Sequence, residues 1–421
     1  MKYVIGLIIA TFLFLSLLPL SAVVLAKPQI WEIRSIDTMK MSRDKARAKL
    51  DDLAFDKVID WEMQSIKMMG ANYVAIDTPY DAEFRPFLNR WVTSARKHGL
   101  AVWFRGNWSN WEGWFDYPKN LTPDEHIAKT HDFITKNADL FVNNDIFEAC
   151  PECENSGYWQ QPADNNKYQL FIRNERFSLE DAFSTIQKNI HTNYISIIGG
   201  RAKDVLDQRT FTKLENVATI DHYAKNPANY EQYIAYFNNR FQTKVLFSEI
   251  GAPIPDIHGN MNEDEQADFI DQVLSLLYKH RQQVVGLNYW VLSDGTTALY
   301  NDDGSERKAL GVLKKYFLPG AIAGEVKNPL GDRLANVQIK TGDSLNSTTT
   351  DKNGRYSLIL PQGDALIEIG GKEFTAKSKS FKIEKDAHFI YNEVIEPKHQ
   401  GLLYRLRLFL RKVFYVNKKT K

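Results

Sequence analysis

Cysteine is nearly absent: 421 residues contain two, Cys150 and Cys153. Two thiols cannot complete a four-ligand structural zinc site, and no His-x-x-x-His pair accompanies them. A charge surplus is missing as well. Lys and Arg total 53, Asp and Glu total 52, and the net charge is +1. That balance gives no electrostatic footprint for a nucleic-acid partner. Also absent is a glycine-rich turn after the first β-like run, near Asp37, which a doubly wound nucleotide-binding sheet requires. What remains, 43% hydrophobic and 25% charged residues, is ordinary globular composition. The length suits one large domain and one small one.

A long apolar run opens the chain. Residues 1–26, MKYVIGLIIATFLFLSLLPLSAVVLA, place one lysine before the run and small residues at its end. This is the pattern of an export signal, either cleaved after Ala26 or retained as an anchor. The expected location is extracytoplasmic, secreted or held at the cell membrane. In an exported chain Cys150 and Cys153 either join in a short-range disulfide or stay as buried thiols. A thiol-exchange role would want the C-x-x-C at the start of a helix in a small βαβ domain. Here it follows an apolar strand-like run, LFVNNDIF.

From Trp31 to Phe317, β-like runs alternate with helical patterns. The runs cover residues 31–37, 71–77, 100–106, 145–152, 194–200, 217–223, 244–251 and 284–291. Most are apolar on both faces, as parallel strands covered on both sides must be. Between them lie amphipathic segments. Two end in Gly70 and Gly99, one begins at Thr122-Pro123 with two acids after it, and later ones cover 178–190 and 264–281. Eight such alternations predict an α/β fold, a (β/α)8 TIM barrel over residues 28–318. Chemistry then belongs at the C-terminal ends of the strands. Asp37, Asp77, Arg105, Glu148, Glu152, Asp221, His222, Glu249, Asn288 and Trp290 collect there. Glu148 and Asp145 read as interior carboxylates, or as partners of Arg105 or Arg34.

After Phe317 the pattern becomes alternating, with turns PLGD, DKNG and PQGD. This predicts a small all-β sandwich over 319–397. The tail, 398–421, is basic and apolar together, and as a helix it suits an anionic membrane surface. Membrane-surface association through this tail or the N-terminal segment is one reading; for the tail, a helix packed on the sandwich or a disordered end is the other.

Two carboxylates on different strands of a barrel can flank a glycosidic bond, one protonating the leaving oxygen and the other attacking the anomeric carbon. Glu152 after the fourth strand and Glu249 after the seventh are the candidates. The segment WFRGNWSNWEGWFDY, 103–117, adds a cluster of aromatics. Aromatic faces stack on pyranose rings, so at least one of Trp108, Trp111 and Trp114 is expected to face a glycan. A satellite core under a long loop is the competing use.

The barrel resembles the large clan of retaining glycoside hydrolases on (β/α)8 barrels. VLFSEIGAP resembles its seventh strand, which implies that Glu249 is the nucleophile. FEACPECEN can be laid on its fourth strand, which implies that Glu152 is the acid/base. Asn288-Tyr289-Trp290 resembles the eighth-strand end, with Trp290 as the floor of the sugar site. His222 and Tyr223 resemble the sixth-strand residues that touch the nucleophile. One departure stands out: Pro151 occupies the place of the clan's Asn before the acid. Either Asn155 or Asn143 takes over its sugar contact, or Glu154 is the acid, or the barrel binds glycan without cleaving it. Arg105 is a candidate sugar contact. GEVKNPLGDRLANVQI with TTDKNGRYSLILPQG resembles carboxypeptidase-regulatory-like and collagen-adhesin B-type modules through Asp351, Gly354, Tyr356 and Gly363. That implies a spacing role. The expected partner is an oligo- or polysaccharide, with no cofactor and no metal; the other readings are a non-catalytic glycan-binding or surface-assembly protein and, more remotely, a thiol–disulfide protein.

Overall fold

The computed structural model describes residues 27–159 and 164–419, without the side chains of 412–419. The proposed export segment, 1–26, lies outside the described residues. Eight parallel strands form the barrel: β1 Ile33–Asp37, β2 Tyr73–Ile76, β3 Ala101–Phe104, β4 Ile146–Phe147, β5 Ser196–Ile198, β6 Val217–Asp221, β7 Lys244–Ile250 and β8 Val284–Tyr289. Each falls inside a run anticipated from the sequence. The ladder order is β4-β3-β2-β1-β8-β7-β6-β5. A parallel bridge between Ile146 and His191, just ahead of β5, joins the two edges.

Helices follow the strands: α1 Asp56–Met68, α2 Arg85–Lys97, α3 Pro123–Lys136, α4 Asn165–Thr185, α5 Gln208–Lys213, α6 Ala228–Phe241, α7 Glu263–Lys279 and α8 Lys308–Phe317. The start at Thr122 is a capping box: Thr122 accepts from the Glu125 backbone, and Glu125 reaches back to Thr122. The helix anticipated over 178–190 begins earlier and stops sooner. Gln187 turns left-handed, with φ +57°, and Lys188 N closes on Phe183 O at 2.9 Å.

Inside the barrel, side chains from alternate strand positions stack in layers. The bottom layer is apolar: Ile33, Tyr73, Trp103, Ile146, Val217 and Leu246 are buried together. Two positions on come small residues such as Ser35, Ala75 and Thr219, all buried. The top of the stack is ionisable: Asp37, Asp77, Arg105, Glu148 and Asp221 are buried there. The period-two geometry of the strands thus delivers charge to one end of the barrel. Gly251, just after β7, is needed for close approach: a Cβ there would lie 2.2 Å from the carbonyl oxygen of Trp290.

Eight further strands make the sandwich. β10 Gln338–Thr341, β11 Ser347–Thr349, β13 Gly363–Gly370 and β14 Lys377–Ile383 form one sheet; β9 Gly320–Lys327, β12 Arg355–Leu360 and β15 His388–Ile390 form the other, with β16 Glu393–Val394 also pairing with β9. Ile322, Val326, Ile339, Leu358, Ile367 and Ile369 fill the space between them. Asp351 accepts from the backbones of Asn353 and Arg355, and Gly354 takes φ +71°, so the DKNG turn is built as its residues require. The sandwich joins the barrel at the bottom end. Tyr278, at the end of α7, donates to Ile359 O at 2.9 Å and accepts from Asn346 Nδ2 at 2.6 Å. Gln362 caps the end of α8 through Lys314 O and Leu318 O.

A last helix, α9 Leu402–Lys419, exposes Leu402, Leu403, Leu406, Phe409 and Leu410. Arg411 donates to Pro329 O at 2.7 Å. Among the described residues no helix is long and apolar enough to cross a membrane.

Candidate active site

Arg105 is the hub of the ionisable layer. It follows β3, its side chain is fully buried, and it forms ion pairs with carboxylates from four other strands. The distances are 3.3 Å to Asp37, 3.0 Å to Glu148, 3.1 Å to Asp221 and 2.9 Å to Glu249. Its five donors suit this multi-directional task. The guanidinium thus makes carboxylate contacts, and it also lines the cavity described below. Glu148 also accepts from Ser196 N at 2.6 Å and Trp103 Nε1 at 3.2 Å. Asp145 pairs with Arg96 rather than with Arg105 or Arg34.

Glu249 has a second partner. Tyr223 donates its hydroxyl to Oε2 at 2.7 Å, and burial followed by the Glu249 charge pushes the phenol well above its ordinary range. Glu249 and Glu152 line one cavity of about 230 Å³, together with Asp77, Arg105, Trp114 and Asn155. Burial, followed by the charges of Glu249 and Glu154, pushes Glu152 up to about 8. A carboxyl group so placed holds its proton at neutral pH. Glu152 itself sits left-handed at φ +48°, just after Pro151.

Glu154 does not share this cavity. Its carboxylate accepts from Ile198 N at 2.6 Å and from Tyr168 Oη at 3.4 Å, and it is fully buried. This turns the alternative acid away from Glu249. Asn155 is exposed at the cavity rim, whereas Asn143 caps the Asn189 backbone elsewhere. Cys150 and Cys153 are joined, with Cα atoms 5.3 Å apart, and both are buried beneath the turn. They lie close to His126, whose ring nitrogens meet Asn107 Oδ1 at 2.9 Å and Glu175 Oε2 at 3.3 Å. A disulfide offers no thiolate to a metal.

The aromatic segment divides. Trp114 lines the cavity, with the Arg43 guanidinium 4.9 Å from its ring centre. Trp108 and Trp111 do not. Trp108 donates to Thr130 at 3.0 Å within the core, and Trp111 is fully buried against Phe171 and His126. Both were expected as candidate glycan contacts and are corrected to packing residues. Trp111 still acts on the site at one remove: it donates to Ser156 at 3.1 Å, and Ser156 donates to Glu112, another cavity residue, at 3.0 Å.

His222 is likewise corrected. It packs on Tyr230, Tyr233 and Phe247, and burial and then Lys203 pull it down to about 4, so it stays neutral. Trp290 is half-buried beside the cavity, edge-on to Tyr223 with ring centres 6.0 Å apart. It is outside the cavity lining and supports the tyrosine that holds Glu249. Sequence reasoning missed Arg43, Glu112 and Lys119 as lining residues. Arg43 lies in a turn, Lys119 in a bend, and Glu112 ends the one-turn helix Ser109–Glu112, where no strand period marks which way a side chain faces.

A larger groove, about 560 Å³, lies between α1 and the loop after β8 and includes Trp61, Asp294 and Tyr300. It lacks carboxylates from facing strands. The smaller cavity at the strand ends holds such a pair, Glu152 and Glu249.

No known family profile matches the chain, and no curated protein matches its sequence. Solved structures match in fold. A β-glucuronidase of Bacteroides uniformis is 11% identical with a TM-score of 0.45, covering 86% of this chain; the chain spans 46% of its length. A modular endo-β-1,4-mannanase of Cellulomonas fimi is 12% identical with a TM-score of 0.42, covering 78% of this chain and 89% of its own. A xyloglucanase of Bacteroides ovatus is 13% identical with a TM-score of 0.43, covering 61% and 67%. At these values the likeness concerns the fold.

Proposed function

We propose that this protein is an exported glycoside hydrolase that cleaves a glycan with retention of anomeric configuration. The observation that carries the reading is the shared cavity of Glu152 and Glu249, one protonated by its surroundings and the other held by Arg105 and Tyr223. Glu249 attacks the anomeric carbon while Glu152 gives its proton to the leaving oxygen. Bond formation removes the Glu249 charge. One of the forces holding up the Glu152 pKa disappears, and Glu152 becomes the base that activates water. Water then displaces the sugar from Glu249, and both carboxyl groups return to their starting states. Trp114 supplies an aromatic face for the sugar, and Asn155 takes the rim contact that Pro151 cannot make.

On the same reading the sandwich is a spacer of the carboxypeptidase-regulatory-like kind, and α9 with the N-terminal segment holds the protein at a membrane surface. The row of exposed leucines on α9 supports this. Pro151 favours a second reading, a barrel that binds glycan without cutting it.

Trapping separates the two. The intact protein is incubated with 5-fluoro glycosyl fluorides of glucose, mannose and glucosamine, and the labelled peptide is mapped. An adduct on Glu249 is expected. An adduct on any other residue overturns the mechanism, and no adduct with any of the three supports the non-catalytic barrel.

A further inference from the structure

The cavity gathers many carboxyl groups around Arg105, with Arg43 and Lys119 as its other lining cations. Asp37, Glu148, Asp221 and Glu249 already share the single Arg105 guanidinium. Asp77 and Glu152 add two more carboxyl groups beside them. Asp77 stands apart from the others. It is 1% exposed, it lines the cavity, and neither of its carboxylate oxygens has a hydrogen-bond partner among the described residues. Its backbone N–H is satisfied by Ser42, so only the side chain is left unmet. Neither lining cation hydrogen-bonds it: Lys119 makes no bond to it, and Arg43, whose charge offsets its burial only in part, lies over Trp114 and pairs with Asp44 at 2.9 Å. A buried carboxyl group without a partner costs free energy. It persists at a site when a ligand supplies the missing donors.

We propose that the cavity takes an amino sugar, a pyranose carrying a protonated amine, and that Asp77 receives the ammonium group. This rests on the glycosidase reading of the same cavity and narrows it to a substrate class. An ammonium brings three donors and a positive charge. Asp77 can accept two of those donors, and the charge offsets the acid surplus around Arg105. A neutral sugar would supply donors but leave the surplus in place. Burial, followed by the Asp37 charge, pushes Asp77 well above the usual carboxylate range, in keeping with a group that lacks its cation. Trp114 faces the same space and offers the ring an apolar surface.

The test compares three β-1,4-linked tetramers that differ only at C2: glucosamine, N-acetylglucosamine and glucose. Binding is measured by calorimetry on Glu249→Gln, which keeps the cavity but removes the proposed nucleophile; cleavage by the unaltered protein is followed by mass spectrometry. The glucosamine tetramer is expected to bind at least tenfold tighter than the glucose tetramer. Adding Asp77→Asn should shrink that ratio below threefold, and Asp77→Glu should keep part of it, with melting temperatures checking that each variant folds. Equal or tighter binding of the glucose tetramer, or binding of none of the three, overturns the proposal. Cleavage of the glucose tetramer in preference would overturn it while sustaining the glycosidase reading. Tight binding of the glucosamine tetramer without cleavage would do the reverse.

Discussion

Tyr223 donates its hydroxyl to Glu249 Oε2 at 2.7 Å, from the end of the strand beside the one that bears the carboxylate. With Arg105 on Oε1 at 2.9 Å, both oxygens of Glu249 are held from different directions. A carboxylate fixed in this way has one free approach, toward the cavity. Tyr223→Phe should lower kcat by about 10–100-fold, the worth of one hydrogen bond to a charged group. The melting temperature should change little. A loss of stability without loss of kcat would reassign Tyr223 to packing.

On the proposed mechanism, Glu152 governs the alkaline limb of activity. Its carboxyl group is raised to about 8 by burial and by Glu249. It works in the protonated form, so activity is present below that value and lost as pH rises through it. The kcat/KM profile should fall on the alkaline side with a midpoint near 8. Glu152→Gln should cost about 10²–10⁴-fold on poor leaving groups and far less on activated aryl glycosides. A profile flat to pH 9 would remove Glu152 from the acid role.

Glu62 offers a stability test away from the chemistry. It is buried in α1, accepts from Ser293 at 2.5 Å, and is pushed up to about 8 by burial. The folded chain therefore holds a proton there that the unfolded chain releases near pH 4.5. The Glu62 contribution to stability is greatest at acidic pH and is lost as pH climbs from that range toward 8. Glu62→Gln should remove this fall and stabilise the protein by about 1–3 kcal/mol at pH 8. Urea unfolding at pH 5 and pH 8 checks it; an unchanged slope sinks the assignment.

Arg105 is the reverse case. Arg105→Leu removes the cation that four buried carboxylates share. A loss of about 3–5 kcal/mol is expected at pH 7, smaller at pH 5 where the carboxyl groups can take protons. Arg105→Lys should recover only part, because an ammonium cannot reproduce the fork. Equal stability of Arg105→Leu and the unaltered protein would contradict this account.

Cys150 and Cys153 brace the turn that carries Glu152. A loop this short restricts the unfolded chain by about 2 kcal/mol. The paired serine variant should lose about that much, and its kcat should fall by more than its KM rises, since the bridge positions an acid rather than binding sugar. A pure stability loss, with kcat unchanged, would confine the bridge to the fold.

The barrel was legible because its strands are covered on both sides, so eight apolar runs stand out against amphipathic helices. Glu249 was legible for a similar reason: it is a carboxylate inside an apolar strand with a defined inward face. Of the partners of Arg105, only Glu148 was legible as one. The others come from positions 37, 221 and 249, and only barrel closure brings them together. The tryptophans failed for a different cause. Trp108, Trp111 and Trp114 share a three-residue spacing, yet two are swallowed by the core under α3 and α4 while the third lines the cavity. Spacing within a loop does not say which side of that loop the core is on. Glu152 was read ahead of Glu154 in the sequence, but nothing local to that stretch showed that the backbone N–H of Ile198, 44 residues further along, binds the Glu154 carboxylate.

The joint built by Tyr278, Asn346 and Gln362 has a consequence for how the molecule meets a polymer. It sits at the end of the barrel opposite the strand ends that carry Glu152 and Glu249. The sandwich can neither roof the cavity nor add a wall to it. Whatever holds the protein by its C-terminal half leaves the end of the barrel that bears Glu152 and Glu249 pointing outward, and on the proposed reading free to meet a glycan from the middle or from its tip.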